Sequence, residues 1–101
     1  MVDKKIVWVK IYPLDEFYAH KAQNSDWLRG VAEFITKPSQ GWWSITIEFI
    51  RKDENTDFYW GKVFFNVYET APQELLFVGQ ELYLLDGAKQ AFHLFIEDEP
   101  F

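Results

Sequence analysis

The chain has 101 residues, 49% apolar and 26% charged, so it is a single folding unit (residues 1–101) with enough apolar surface for one core and none to spare for a second. Sixteen acidic residues against ten basic ones give a formal charge of -6, which argues against a nucleic-acid partner, because phosphates are neutralised by a basic stripe. With no cysteine there is no disulfide framework, thiolate metal site or cysteine nucleophile.

The N-terminal segment is charged at Asp3, Lys4 and Lys5, and the apolar run Ile6 to Val9 is interrupted by Lys10. That run is too short for a secretory leader, and no later run reaches the roughly 18 apolar residues of a membrane span. The expectation is a cytoplasmic protein that does not engage a membrane.

Period-two alternation then dominates. Over residues 5–12, Val7, Val9 and Ile11 share one face, with Ile6, Trp8, Lys10 and Tyr12 on the other; Pro13 ends the strand because it lacks an N–H. Residues 14–37 are ambiguous. Pro13 suits the first position of a helix, Asp15 and Glu16 suit its first turn, and Leu14, Phe17, Tyr18 and Lys21 fall near helical spacing, so one short helix is expected within 13–28. Ser25-Asp26 could cap a second helix reaching Ile35. A strand over 31–36, opened by Gly30 and turning Ala32 and Phe34 inward, is preferred, because glycine inside a helix costs about 1 kcal/mol. Pro38 and Gly41 mark the turn that follows.

Residues 42–51 alternate cleanly, with Trp43, Ile45, Ile47 and Phe49 inward and Ser44, Thr46 and Glu48 outward. A polar hairpin loop over 51–57 leads into a strand over 57–69. Tyr59, Val63, Phe65 and Val67 fall on one face of it and Phe58, Trp60, Phe64 and Tyr68 on the other, so both faces look covered. A turn at 70–73 precedes the short apolar run 75–78, broken by Gly79. Two runs, 81–85 and 88–97, then flank Asp86-Gly87, the favoured composition of a tight hairpin turn. Residues 97–101 form an acidic tail. The sum is a mainly β fold, a small antiparallel barrel or sandwich of six or seven strands.

Residues 75–96 resemble the closing hairpin of translation-factor β-barrel domains of the elongation factor Tu type. Leu76, Gly79, Leu82, Leu84, Asp86, Gly87, Ala91 and Ile96 match that pattern, while His93 stands where the family has glycine. The resemblance covers about a fifth of the chain. It implies a small closed barrel that acts as a binding module and carries no catalytic residues; the GTPase motifs are absent.

Catalytic signals are weak. Asp53, Asn55 and Asp57 open like a calcium loop, but Phe58 stands where its glycine belongs and Phe64 where its bidentate glutamate belongs. His20 and His93 each lack a second histidine at metal-ligand spacing. Ser25, Ser39 and Ser44 have no nucleophile-elbow context. Glu33 with Glu48, and Glu81 with Glu97, are carboxylate pairs of undetermined separation. No cofactor is expected, and no enzymatic activity.

Charge and aromatics say more. Residues 1–68 hold nine acidic and nine basic side chains, whereas 69–101 hold Glu69, Glu74, Glu81, Asp86, Glu97, Asp98 and Glu99 against Lys89 alone. Twenty per cent of the chain is aromatic, more than one inward face can hold, so some of Trp8, Tyr12, Trp42, Phe58, Trp60, Phe64 and Tyr68 should be exposed at an interface. The expected function is therefore that of a protein-binding module. Trp8, Trp42, Phe58, Trp60, Phe64 and Tyr68, with Glu69, Glu81, Asp86, Glu97 and Asp98, are its candidate binding residues. The expected partner is a protein with a basic surface; the concrete form is an immunity or inhibitor protein masking a cationic toxin or nuclease. The alternatives are a small-molecule-binding barrel or small hydrolase using a carboxylate or His93, and a structural homo-oligomer, such as a homodimer.

Overall fold

A computed structural model describes residues 2–36 and 42–100. The turn expected at Pro38 and Gly41, and Ser39, lie outside the described residues. Strands β1 (Val7–Pro13), β2 (Trp27–Phe34), β3 (Trp43–Lys52), β4 (Tyr59–Phe65), β5 (Glu81–Asp86) and β6 (Lys89–Glu97) close into a six-stranded barrel in the order β1-β4-β3-β2-β5-β6. Every neighbouring pair is antiparallel. Closure leaves no unpaired strand edge, so the sandwich alternative is set aside. No helix among the described residues is long and apolar enough to cross a membrane.

The alternation read from the sequence sets the interior. Val9 and Ile11 from β1, Ala32 and Phe34 from β2, Ile45 and Ile47 from β3, Val63 and Phe65 from β4, Leu82 and Leu84 from β5 and Phe92, Leu94 and Ile96 from β6 are all buried. Two inward positions are glycine because the barrel is too tight there for anything larger. A Cβ on Gly61 would lie 2.1 Å from the Glu48 carbonyl oxygen and 2.6 Å from Ile11 Cδ1. On Gly30 it would lie 2.6 Å from the Leu85 carbonyl oxygen.

The one α-helix among the described residues, α1 (Glu16–Gln23), covers one mouth of the barrel. Its start differs from the expectation: Pro13 pairs with Phe92 as the last residue of β1, and Asp15 is the N-cap, accepting from the Tyr18 N–H at 3.0 Å. Tyr18 and Ala22 turn into the core, with the Tyr18 ring edge-on to Phe92. At the other mouth the run 75–78 is not a strand: a 3-10 turn at Gln73–Leu75 delivers Leu75 and Leu76 into the core.

Other boundaries also move. β2 starts at Trp27, four residues before the expected strand, because Gly30 is needed inside it rather than at its start. β4 ends at Phe65, where Asn66 turns the chain; Val67 is then exposed and Tyr68 lies in the turn. In the last hairpin Asp86 pairs with Lys89, so Gly87 and Ala88 are the central turn residues; only Gly87 has positive φ, +64°. That sign pattern belongs to a type II′ turn, with glycine first. Glu97 is the last residue of β6 and not part of a tail.

Candidate functional site

Strand alternation that buries one face of each strand turns the other outward, and here the outward positions are rich in rings. A connected band of aromatic side chains runs around the outside across β5, β6, β1 and β4. Tyr83 stacks on His93 with centroids 4.5 Å apart, and His93 lies 4.3 Å from Phe95. Phe95 meets Tyr12 at 5.4 Å, Tyr12 meets Phe58 at 5.4 Å, and Phe58 meets Trp60 at 5.3 Å. Tyr12 and Phe95 pack edge-on and Phe58 with Trp60 likewise, the geometry favoured by ring quadrupoles.

Acids border this band. Glu81 lies opposite Phe95 on β5, with its carboxylate 3.3 Å from His93 Nε2. Glu97 follows two residues after Phe95 on the same face and lies 3.7 Å from Lys10. Asp98 is exposed just beyond β6.

On β1 and β4 the outward residues alternate ring and cation, Trp8-Lys10-Tyr12 against Trp60-Lys62-Phe64. The register sets Trp8 opposite Lys62 and Lys10 opposite Trp60. Lys62 Nζ consequently sits 4.9 Å from the Trp8 centroid, Lys10 5.5 Å from that of Trp60, and Lys4 4.2 Å from that of Phe64.

The expected binding residues therefore divide. Trp8, Trp60 and Phe64 share one outer face, and Glu81 and Glu97 lie beside it. Phe58 is a correction: at 6% exposure it is buried between Tyr12 and Trp60 and offers almost no surface of its own. Trp42 is 71% exposed but stands before β3, away from the band. Tyr68 packs against the core from the turn after β4, where Glu69 is exposed. Asp86 lies at the opposite end of β5 from Glu81 and accepts from the Tyr18 hydroxyl at 2.8 Å. Of the acids that cluster in sequence, Glu81, Asp86 and Glu97 are thus spread along the length of one hairpin, while Glu69 and Glu74 lie before it.

Tyr83, Phe95 and the cations Lys10 and Lys62 belong to the surface but were not singled out. The ring-cation alternation along β1 and β4 was visible in the sequence; the cross-strand register that makes it a surface was not.

Of the catalytic candidates, His93 and Glu81 come together, at 3.3 Å, whereas Glu33 and Glu48 do not. Glu48 lies opposite Trp27, six residues from Glu33 along β2, a span of roughly 20 Å at about 3.3 Å per residue. Asp53 is occupied by its own loop, accepting from Thr56 Oγ1 at 2.9 Å. His20 is exposed on α1, and Ser44 Oγ accepts from Asn66 on β3's outer side. Among the described residues, no group of three or more His, Cys, Asp or Glu side chains could hold a metal ion.

Compared with protein-family models, with curated proteins and with solved structures, the chain finds no match.

Proposed function

We propose that the chain is a binding module, without catalytic chemistry of its own, that takes a second protein on the outer face formed by β5, β6 and β1. The observation that carries this reading is the connected ring band from Tyr83 to Trp60 on the outside of a closed barrel. Rings held rigid by one another lose little conformational freedom on docking and bury a large area, as binding hot spots do. The border of Glu81, Glu97 and Asp98 selects a partner with a basic surface and speeds its approach. In concrete form this is an immunity or inhibitor protein, cytoplasmic, whose acidic face covers the functional site of a cationic toxin or nuclease.

The test is affinity capture from the native cell at low and high salt, using the wild-type chain, Phe95→Ala and the double variant Glu81→Gln/Glu97→Gln. A basic protein retained at low salt, lost with Phe95→Ala and weakened by the double variant supports the proposal. Retention indifferent to salt and to all three substitutions overturns it, as does a chain whose band is occupied by a second copy of itself in light scattering.

A further inference from the structure

β3 stands across the barrel from β6, and its outer side carries a groove unlike the band. Small outward residues on β3, between larger ones on β2 and β4, leave a depression of about 250 Å³ lined by Trp27, Arg29, Thr46, Glu48, Phe64 and Asn66. We infer that this groove is a binding site for an acidic sugar, a pyranose ring bearing a carboxylate.

Its floor is built and polar. Thr46, only 6% exposed, donates its hydroxyl to the Asn66 amide oxygen, and Asn66 Nδ2 donates to Ser44 Oγ at 2.6 Å. An amide nitrogen carries two hydrogens, so Asn66 has one left to donate, while Thr46 Oγ1 retains acceptor capacity. Glu48, one residue pair along, has neither an ion-pair nor a hydrogen-bond partner among the described residues. Its carboxylate can accept from two hydroxyls. This donor-acceptor mixture suits a polyol and not a hydrocarbon.

Its wall is aromatic. Trp27 is 54% exposed, and Phe64 faces it diagonally from β4. An indole face presented beside polar groups packs on the C–H face of a sugar ring while the ring's hydroxyls reach the floor. The volume, about 250 Å³, lies just below the roughly 300 Å³ at which ligand pockets usually begin, which limits the occupant to a single ring.

Its charge selects an anion. The chain has an excess of acids, yet no carboxylate lies within ion-pair distance of Arg29, Lys62 or Lys4 among the described residues. Each rests on a ring instead, with the Arg29 guanidinium 5.6 Å from the Trp27 centroid. Arg29 lies directly opposite Thr46, at the edge of the floor. A planar guanidinium there pairs with a carboxylate through two parallel hydrogen bonds, a geometry a lysine cannot supply. Glu48 stands opposite Trp27, one step diagonally from Arg29, and keeps a ligand carboxylate on the Arg29 side of the groove.

The test is an NMR titration of the whole chain with galacturonate and glucuronate, against galactose and glucose, following the Trp27 indole N–H. Uronates should shift that signal and bind about tenfold more tightly than the neutral sugars, the difference a charge-assisted pair makes. Arg29→Gln should reduce uronate binding to the neutral-sugar level, and added salt should weaken it. Trp27→Ala should abolish binding of both, read by shifts at the Asn66 side-chain amide. Both substituted residues are exposed, so unchanged melting temperatures should accompany the losses. No shift with either uronate overturns the inference, as does uronate binding unaffected by Arg29→Gln. So does an oligothymidylate that outcompetes the uronates and perturbs Trp8 and Trp60, outside the groove, which would mark a general polyanion surface.

Discussion

The Tyr18 hydroxyl donates to the Asp86 carboxylate at 2.8 Å, across 68 positions of sequence, and ties the helix over the barrel mouth to the turn of the last hairpin. A second tie runs beside it, from Lys89 Nζ to Asp15 at 3.0 Å. Asp86 and Lys89 are themselves the pair that closes the β5-β6 turn. The first turn of α1 is thus latched to both sides of one tight turn, which is why a helix of only eight residues keeps its place.

The latch makes stability depend on pH at both extremes. The Asp15 carboxyl titrates below its ordinary value, chiefly because the Tyr18 backbone N–H bonds its charged form and next because Lys89 does. A depressed carboxyl contributes stability that is present above its unfolded pKa, about 4, and is lost as pH falls through the lower folded value. Tyr18 titrates above its ordinary value, first through its bond to Asp86 and then through burial. It contributes stability that is complete below about pH 10 and is lost as pH rises through the raised folded value. Thermal melts against pH should show both flanks. Asp15→Asn should flatten the acid flank and Tyr18→Phe the alkaline one, and each variant should melt below the wild type at neutral pH.

The glycines should separate two kinds of cost. Gly61→Ala drives a methyl group into the Glu48 carbonyl and Ile11, and neither the β3 backbone nor a buried isoleucine can give way. It should lose about 3 kcal/mol, the upper end for overpacking. Gly87→Ala meets no atom within 4 Å, but it forces an L-residue to φ +64°. Its loss should be smaller, about 1–2 kcal/mol. Urea unfolding of the two variants measures the order, and a Gly87→Ala loss equal to that of Gly61→Ala would contradict it.

Gln80 is 1% exposed and holds together the mouth opposite α1. Its Oε1 accepts from the Thr36 hydroxyl at 3.0 Å and the Glu81 N–H at 3.2 Å, while Nε2 donates to the Leu75 carbonyl at 3.3 Å. Gln80→Leu keeps the bulk and leaves these groups without their partner. A loss of about 1–3 kcal/mol is expected in equilibrium unfolding.

Leu76 tests whether the segment between β4 and β5 belongs to the core. It is fully buried although it lies in no strand. Leu76→Ala should cost about 2–5 kcal/mol, comparable to a strand residue such as Leu94→Ala. A loss near zero would mean that this segment is only draped on the barrel.

Much of the fold was legible. Trp43, Ile45, Ile47 and Phe49 alternate with Ser44, Thr46 and Glu48, and a period of two has one physical solution on a half-buried strand. Glycine's low helix propensity correctly favours a strand at Gly30, but Gly30 lies inside that strand and not at its start, because a missing side chain is what the neighbouring Leu84 and Leu85 require. Pro13 suited two roles, strand end and helix start, and the pairing to β6 decided between them. The candidate surface was half legible: Trp8, Trp60 and Phe64 could be named as surplus aromatics, but Tyr83 and Phe95 could not be linked to Tyr12.

By itself the sequence determined the β character of the chain, the inward faces of β2 and β3, the aromatic surplus and the acidic last third, because each depends on composition or on spacing within one element. Only the tertiary structure decided which rings meet, that Glu81 lies against His93 and Asp86 against Tyr18, and that Arg29, Thr46 and Phe64 border one groove. Those relationships are set by strand order and cross-strand register, which place β1 between β4 and β6 and β2 beside β5 through long-range pairing that no local pattern encodes.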